Sequence, residues 1–438
     1  MAGTQTGPAI VDGRDWQQRH AERVRSLDEA VAMVRPEDTV MGGMPEPAAF
    51  LERLAERTDL REVELFLAAP RRGGVAVSAT PGVQLRAAFL TQALRRAGAR
   101  VELVPVGFSG WVGMIRRWAP RVRVVVVAEP TAEGVVHPGN SLAVDDELVR
   151  GRGGRDETVV IGLVDPNQPR IPGHTFRVED FDVLVPLPAD TPGPIYDQRK
   201  RSPHLPVFVD ALAELIPDGA TVQAGVGGIP DQAMAHLTTK RDLGIHTEVL
   251  GPGLAELWRL GVATNAAKTH HPGRTVFTIA LPEAARFAQT RPDACIEPAG
   301  RALDPREIAR NRTMRCVNAT LQVDLFGQGN AEMIDGVQYS GVGGQVDFHR
   351  ASNLADDALS ILTLESTAAG GTVSRIVPHL APNSVTSTRY DAHVVVTEHG
   401  VAWLQDASIR QRAERLIAVA HPHFRDQLTE EARRSGLL

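Results

Sequence analysis

Two glycine clusters and a glutamate between them are the residues of this chain whose types and spacing could do chemistry. The clusters are Gly225-Val-Gly-Gly-Ile-Pro-Asp231 and Ser340-Gly-Val-Gly-Gly-Gln-Val-Asp347, and Glu248 lies in Gly244-Ile-His-Thr-Glu-Val-Leu250. Because glycine has no Cβ, a ligand can approach the backbone N–H groups of such loops closely. A carboxylate beside two such loops suggests covalent chemistry on an activated acyl group, with Glu248 as the candidate nucleophile.

The backbone of the second cluster is suited to stabilising a developing negative charge. Each N–H group aimed at a tetrahedral intermediate is worth about 3–4 kcal/mol. Either cluster alone is better explained as a tight strand-to-helix turn, and only its combination with Glu248 favours a functional site. Neither cluster has the full spacing of a dinucleotide-binding fingerprint. Glu398, in a run of valines, is the main competing carboxylate. The residues predicted to shape or contact the ligand pocket are Gly227, Gly228, Gly341, Gly343 and Gln345.

Composition excludes several classes of function. With 438 residues, 43% of them hydrophobic and 23% charged, the chain suits two globular domains. A net charge of -6 gives no electrostatic reason to expect a nucleic acid or an anionic membrane as partner. Two cysteines, Cys295 and Cys316, cannot form a disulfide framework, and no Cys/His cluster has the spacing of a metal site. Both are expected to be small buried residues.

The N-terminal segment and the lack of long apolar runs predict a cytoplasmic protein. Residues 1–15 are polar, contain no apolar secretory core and are predicted to be a disordered leader. No uninterrupted apolar run approaches the roughly 20 residues of a transmembrane helix.

Strands that alternate with helices predict an α/β fold with mostly parallel sheets. The proline-rich segment Pro186–Ile195 divides the chain into an N-terminal domain, 16–195, and a C-terminal domain, 205–438. A weak internal repeat, at Val31–Gly43 and Leu212–Gly228, indicates that the two domains are related. Ligands of open α/β sheets bind beyond the carboxyl ends of strands, so the active site is expected in the cleft between the domains.

Local patterns predict individual elements. Ser26 and Glu29 have the spacing of a capping box at a helix start. Val122–Ala128 has the β-branched composition of a buried strand. We also expect a helix over Val83–Ala97 and an amphipathic C-terminal helix over Ile409–Val419.

The second half resembles the acetyl-CoA hydrolase/transferase family, in particular its 4-hydroxybutyrate CoA-transferase-like members, which are family I CoA-transferases. The matches occur in the family's order over roughly 205–430, whereas the likeness of the first half is thin. The matching segments are Gly225–Asp231, Gly244–Glu248, Lys268 with His271-Pro-Gly273, Val323–Gln328, Ser340–Phe348, Ser374–Pro378, Val395–Gly400 and Ala420–Arg425.

The resemblance implies a ping-pong transfer of coenzyme A between an acyl-CoA and a small carboxylic acid. The family's catalytic glutamate falls on Glu248, which would carry a glutamyl-CoA thioester, and its oxyanion-hole glycine falls on Gly344. Coenzyme A would be a substrate, with no permanently bound cofactor and no metal. A homodimer is implied on the same basis.

The sequence departs from the family at Leu303, where an asparagine usually donates its side-chain amide to the oxyanion. Leucine cannot donate a hydrogen bond. Three alternatives therefore stay open: transfer of a specialised or bulkier acyl group, hydrolysis of the acyl-CoA through the same glutamate, and non-catalytic binding of acyl-CoA. His246 shares a strand face with Glu248, and a structural hydrogen bond is expected for it rather than catalysis.

Overall fold

The computed structural model describes residues 16–151, 157–193, 201–226 and 228–438. The predicted leader, 1–15, lies outside the described residues, as does Gly227. Of the predicted linker, residues 186–193 are described, and they contain the end of a strand followed by neither helix nor strand.

The first half is built on a seven-stranded parallel sheet with the order β4-β3-β2-β1-β5-β7-β9. The strands of this half are β1 Thr39–Gly42, β2 Val63–Leu67, β3 Val83–Ala87, β4 Glu102–Leu103, β5 Val122–Val127, β6 Val135–Val136, β7 Val159–Val164, β8 Phe176–Arg177 and β9 Val183–Pro186. Of these, β6 and β8 form a separate two-stranded sheet. Its helices are α1 Trp16–Arg19, α2 Leu27–Ala32, α3 Ala48–Ala55, α4 Arg72–Ser78, α5 Gln92–Ala97, α6 Phe108–Trp118 and α7 Asp145–Arg150.

The second half is built on an eight-stranded sheet with the order β13-β12-β11-β10-β14-β19-β23-β24. Its helices are α8 Leu205–Leu215, α9 Ile229–Met234, α10 Pro252–Arg259, α11 Pro282–Ala288, α12 Ala299–Ala302, α13 Pro305–Ile308, α14 Gln345–Ser352, α15 Ile409–Val419 and α16 Pro422–Arg434. The strands of this half are β10 Thr221–Ala224, β11 Gly244–Leu250, β12 Thr275–Ala280, β13 Ala294–Ile296, β14 Met314–Ala319, β15 Gln322–Asp324, β16 Gly329–Asn330, β17 Met333–Ile334, β18 Val337–Gln338, β19 Leu359–Thr363, β20 Thr367–Ala368, β21 Val373–Ser374, β22 Ile376–Val377, β23 Val394–Thr397 and β24 Gly400–Trp403.

The two large sheets share one topology, which confirms the predicted pair of related, mostly parallel sheets. In each, the chain starts at a central strand, adds three strands outward and then crosses back to build the other side. The antiparallel pairing of β23 with β24 is the exception in the second sheet. The order therefore reverses between β1 and β5 and between β10 and β14, and such switch points are where open α/β sheets bind ligands.

Several predicted elements are confirmed by the structure. The side chain of Ser26 accepts from Glu29 N–H and the Glu29 side chain accepts in return, so α2 begins with the expected capping box. All six residues of β5 are buried. Arg123 within that strand is also buried, and its guanidinium donates to the carbonyls of Pro120, Glu147, Leu148 and Gly151.

The helix predicted over Val83–Ala97 is wrong. Residues 83–87 form β3, in which Leu85 and Ala87 are buried and Gln84 is exposed, so the alternation of a half-buried strand decides the structure. Only Gln92–Ala97 is helical, and its first turn is capped by the side chain of Thr91. The helix α4 was not predicted because it contains Gly73 and Gly74, whose lack of side chains allows α3 and Pro70 to pack closely.

The two halves are joined by backbone hydrogen bonds and a shared apolar core. Leu142 N–H donates to Thr278 O over 2.8 Å, and Ala280 N–H donates to Asn140 O over 2.8 Å, so a loop of the first half lies along β12. Phe108 and Trp111 of α6 belong to the same buried cluster as residues of the second half. Within the described residues, no helix is both long and apolar enough to cross a membrane.

Candidate active site

Glu248 lies in β11 beyond the point where β10 and β11 separate. The two strands pair at Gly244 and Ile245, whereas β11 continues beside β12 to Leu250. The side chain of Glu248 is half-buried at this opening. The switch point between β10 and β14 is next to it, so the predicted nucleophile stands at the edge where ligands of such sheets bind.

Gly344 lies directly against the Glu248 carboxylate. It precedes the first turn of α14, and its N–H donates a hydrogen bond to that carboxylate. A Cβ placed on Gly344 would lie 2.1 Å from Oε2 of Glu248. The φ of Gly344 is -96°, which any residue can adopt, so close approach rather than backbone conformation requires glycine here.

The other predicted glycines do not line this contact in the same way. Gly341 faces the first half, where a Cβ on it would lie 2.0 Å from the carbonyl oxygen of Ala88. Gly343 has a φ of +66° and forms a β-bridge with Gly107. Gly228 precedes α9 with only ordinary van der Waals neighbours. Their roles in ligand binding stay predictions.

The environment of Glu248 disfavours its ionised form. Burial, together with the negative charge of Asp347, raises the pKa of Glu248 to about 8, although the hydrogen bond from Gly344 works in the opposite direction. Leu303 adds to the apolar surroundings: it is fully buried, and its Cδ2 would lie 2.7 Å from a Cβ on Gly344. Leu303 therefore presents a methyl group to the site.

Asp347 is a buried carboxylate next to the site whose contacts were not predicted. It accepts hydrogen bonds from Ser109 N–H over 3.2 Å and from Ser109 Oγ over 2.5 Å. Burial raises the pKa of Asp347, against the hydrogen bonds from Ser109 and the positive charge of Arg350. The signal in the sequence was its place at the end of the second glycine cluster, but no pattern in the chain indicates Ser109 as its partner.

A largely buried series of hydrogen bonds between neutral side chains, which was not predicted, begins at Gln345, a residue predicted to contact the ligand. Gln345 Nε2 donates to Ser387 Oγ over 2.9 Å, and the Nδ1 of His349 lies 3.3 Å from the same oxygen. The Nε2 of His349 lies 3.2 Å from the Asn318 amide nitrogen, and Asn318 and Gln223 exchange two hydrogen bonds of 3.0 Å. Burial lowers the pKa of His349 to about 3, so the ring is neutral.

Two buried residues, His246 within β11 and Lys268 outside it, bind the strand to its surroundings. His246 Nε2 lies 2.7 Å from the carbonyl oxygen of Ala302, and its Nδ1 lies 3.2 Å from the side-chain amide nitrogen of Asn311. Burial, aided by the positive charge of Lys268, lowers the pKa of His246 to about 3. Lys268 Nζ donates to Ile245 O over 2.8 Å. The expected structural role of His246 agrees with these contacts, which hold the residue before Leu303 against the strand.

The competing carboxylate, Glu398, is held as a structural anion. It accepts from Ser366 N–H over 2.8 Å and from Ser366 Oγ over 2.5 Å. Burial opposes ionisation, but these hydrogen bonds outweigh it and lower the pKa of Glu398. A carboxylate already committed to two donors is a weaker nucleophile than one facing an opening.

Neither a metal cluster nor a reactive thiol competes with the carboxylate within the described part of the chain. The described residues contain no group of three His, Cys, Asp or Glu side chains that could hold a metal ion. Both cysteines are free and buried. Burial raises the pKa of Cys295 to about 11 and that of Cys316 to about 12, so both thiols are protonated at neutral pH.

Comparison with known proteins places this architecture among the CoA-transferase-like α/β proteins. The family model for the acetyl-CoA hydrolase/transferase C-terminal domain matches residues 282–432. The succinyl-CoA:cyclohexane-1-carboxylate CoA transferase of Geobacter metallireducens is 34% identical, over 96% of this chain and 97% of the relative. The 4-hydroxybutyrate coenzyme A transferase of Clostridium kluyveri is 32% identical, over 95% of this chain and 99% of the relative.

A solved structure extends the match to the fold of both halves. The crystal structure of RipA from Yersinia pestis superimposes with a TM-score of 0.88 at 31% sequence identity, covering 97% of this chain and 100% of RipA. The chain belongs to the acetyl-CoA hydrolase/transferase family. The likeness that was thin in the first half of the sequence therefore covers nearly the whole chain.

Proposed function

We propose that the protein is a CoA-transferase that moves coenzyme A between an acyl-CoA thioester and a carboxylic acid, with Glu248 as the covalent carrier. The observation that carries this proposal is the contact between the half-buried Glu248 carboxylate and the N–H of Gly344 at the open edge of β11. The names of two full-length relatives support it, because both are CoA transferases. Coenzyme A is a substrate in this proposal, and no resident cofactor takes part.

The reaction runs in two mirrored halves. A Glu248 oxygen attacks the thioester carbonyl, the C–S bond breaks, and CoA thiolate and a mixed anhydride form. The thiolate then attacks the glutamyl carbonyl, releases the first acid as a carboxylate and leaves a glutamyl-CoA thioester. The acceptor carboxylate attacks that thioester, and the same steps in reverse return Glu248 to its free form.

The groups around Glu248 have separate roles in these steps. The N–H of Gly344 donates to the oxygen that gains negative charge in each tetrahedral intermediate. The buried setting limits access of water, which would otherwise hydrolyse the anhydride and the thioester. Since the pKa of Glu248 is raised to about 8, its proton must leave to the open side of the crevice before attack.

Leu303 favours an acyl group with an apolar portion. A buried methyl group beside Gly344 offers no hydrogen bond to a polar substituent but packs well against hydrocarbon. Saturated or cyclic acids are therefore better candidates than small polar ones. The charge of the acid remains necessary, because the acceptor reacts as its carboxylate.

Intact-mass analysis tests the proposal. The protein is incubated with a panel of acyl-CoA esters, treated with borohydride or hydroxylamine, and weighed. We expect a mass change that maps to the Glu248 peptide and is lost in Glu248→Gln. The matched variant Glu398→Gln is expected to keep it, since Glu398 is held by Ser366 away from the opening. An adduct that survives Glu248→Gln would refute the assignment.

Hydrolysis of the acyl-CoA is the second candidate, and the missing amide donor at Leu303 is the observation that favours it. A thioester that forms slowly and lacks an efficient acceptor is exposed to water for longer. Steady release of free CoA without any carboxylic acid would support hydrolysis. Release that depends on the acid, with saturation in both substrates and parallel double-reciprocal lines, would support transfer. Tight acyl-CoA binding with no covalent adduct would leave the non-catalytic alternative.

We also propose a homodimer as the working assembly. Sedimentation velocity of the full chain measures this directly, and a single species with the mass of one chain would contradict it.

A further inference from the structure

The segment 339–344, which ends at the oxyanion donor Gly344, lies against the first half of the molecule. It contains neither helix nor strand, and residues 339–343 are half-buried. Three alternate residues of the segment contact the first half, and these contacts are Tyr339 with Arg95, Gly341 with Ala88, and Gly343 with Gly107. Contacts at every second residue are typical of an extended chain that lies along a surface. The path of the backbone into Gly344 is therefore set by the first half.

Arg95 makes its contact with this segment through a side chain. It lies in α5, and its Nη1 donates to Leu90 O over 2.6 Å and also to the carbonyl oxygen of Tyr339. The guanidinium carbon lies 4.0 Å from the centre of the Tyr339 ring, within the range of a cation–π contact. Because Leu90 belongs to the same half as α5, the bond to it fixes the guanidinium group relative to that half. Arg95 therefore joins Tyr339 to a fixed point of the first half.

The direction of the Gly344 N–H depends on the residues before it. This N–H lies in one peptide plane with the carbonyl of Gly343, so it turns when Gly343 moves. At the start of the segment, Tyr339 N–H donates to Glu332 O over 2.6 Å, while the Tyr339 carbonyl accepts from the other half. A hydrogen bond weakens steeply as its angle departs from linearity. Small movements of the segment therefore weaken the bond from Gly344 to Glu248.

We propose that Arg95 is a positioning residue that holds segment 339–344 so that the N–H of Gly344 points at the Glu248 carboxylate. This inference rests on the proposed function, in which that N–H stabilises the oxygen that gains negative charge. Arg95 acts through the backbone of Tyr339 rather than on the reacting atoms. The first half thus contributes to the reaction by fixing a donor that belongs to the second half.

Arg95→Met tests the proposal by kinetics, since it keeps the apolar stem and removes the donors and the charge. We expect kcat to fall by about 10- to 100-fold, less than for complete loss of an oxyanion donor. KM for the acyl-CoA should change little, because the donor acts mainly on the transition state. Arg95→Lys keeps a charged group with three donors and should restore most of kcat. Arg100→Met is the matched control, because Arg100 is exposed and the change of charge is the same.

Nuclear magnetic resonance of the deuterated full-length protein measures the hydrogen bond of Gly344 itself. Glycine labelled with ¹³C at the carbonyl and with ¹⁵N gives a combined signal only where one glycine follows another, and the signal lost in Gly344→Ala identifies Gly344. We expect its amide proton to move upfield in Arg95→Met, since its hydrogen bond is weaker, and to stay in place in Arg100→Met. Tyr339→Ala removes the ring and keeps the carbonyl, so its shift should be smaller.

The outcomes separate this inference from the proposed function. Thermal unfolding establishes that each variant is folded. An unchanged Gly344 signal in Arg95→Met would overturn the inference, and so would an unchanged kcat. A higher KM at unchanged kcat would also overturn it, because that result indicates contact between Arg95 and substrate. The expected shifts of the Gly344 signal in a wild-type background that transfers no coenzyme A would instead refute the proposed function alone.

Discussion

At the scale of single residues, the site depends on the approach of Gly344 to Glu248. The two residues are separated by almost a hundred positions in the chain, yet the backbone of one touches the carboxylate of the other. The sequence allowed both to be singled out, because a glutamate in an apolar strand and a glycine cluster are local signals. The hydrogen bond from Ser109 to Asp347 could not be predicted, since it spans 238 positions and Ser109 has no distinctive neighbours.

Gly344→Ala should strongly reduce activity without unfolding the protein. The added Cβ would lie 2.1 Å from Oε2 of Glu248, so the carboxylate must move away from its donor. Loss of one oxyanion donor typically lowers kcat by about 100- to 1000-fold. Steady-state kinetics measure this effect, and Gly193→Ala is the control because a Cβ there meets nothing within 4 Å. Equal activity of both variants would contradict the contact.

Glu248→Gln should be more stable than wild type at pH 8 and lose this advantage toward pH 4.5. The folded-state pKa of Glu248, about 8, lies above the unfolded value, so wild type loses stability as the pH rises through this window while the glutamine variant does not. The difference at pH 8 should be on the order of a few kcal/mol. Urea unfolding at both pH values measures it, and a difference that does not change with pH would contradict the raised pKa.

At the scale of elements, helix α14 carries or adjoins several residues of the candidate site. Its first turn follows Gly344, its third residue is Asp347, and its fifth, His349, connects the helix to Asn318 of β14. The sequence indicated the central strands correctly where β-branched runs or alternation were clear, as in β5. It failed in Val83–Ala97, where a two-residue period was taken for a helical one, because both patterns fit a short mixed segment.

His349→Leu should destabilise the fold and loosen the site. The variant leaves the Asn318 amide and Ser387 Oγ without their buried partner, at a cost of about 1–3 kcal/mol. Chemical denaturation measures the free energy of unfolding. His423→Leu is the control, because His423 is exposed. A loss of unfolding free energy no larger than that of the control would show that the buried hydrogen bonds of His349 contribute little to stability.

At the scale of the whole molecule, two sheets of the same topology belong to halves that are in contact at α6 and α14. The strand order of each sheet reverses at one switch point, and Glu248 lies next to the switch point of the second sheet. The repeat was visible in the sequence only as a recurring short pattern, because the equivalent strands share topology more than residue identity. The interface could not be predicted, since backbone bonds such as Leu142 N–H to Thr278 O leave no trace in side-chain patterns.

Gly341→Ala should push the two halves apart. The new Cβ would lie 2.0 Å from the carbonyl oxygen of Ala88, and backbone cannot move aside as a flexible side chain can. We expect faster hydrogen exchange at 86–89 and 341–344 and a fall in kcat, although no reacting group is altered. Exchange mass spectrometry measures the first effect, with Gly193→Ala again as reference. Unchanged exchange at both segments would mean that the interface tolerates the methyl group.

The central claim is that the Glu248 carboxyl group becomes covalently bound to coenzyme A during turnover. Peptide mapping after incubation with an acyl-CoA and reduction by borohydride tests this most directly. The account predicts that the peptide containing 244–250 changes mass in wild type and not in Glu248→Gln. A turning-over enzyme in which that peptide stays unmodified, or in which another carboxylate carries the label, would contradict it.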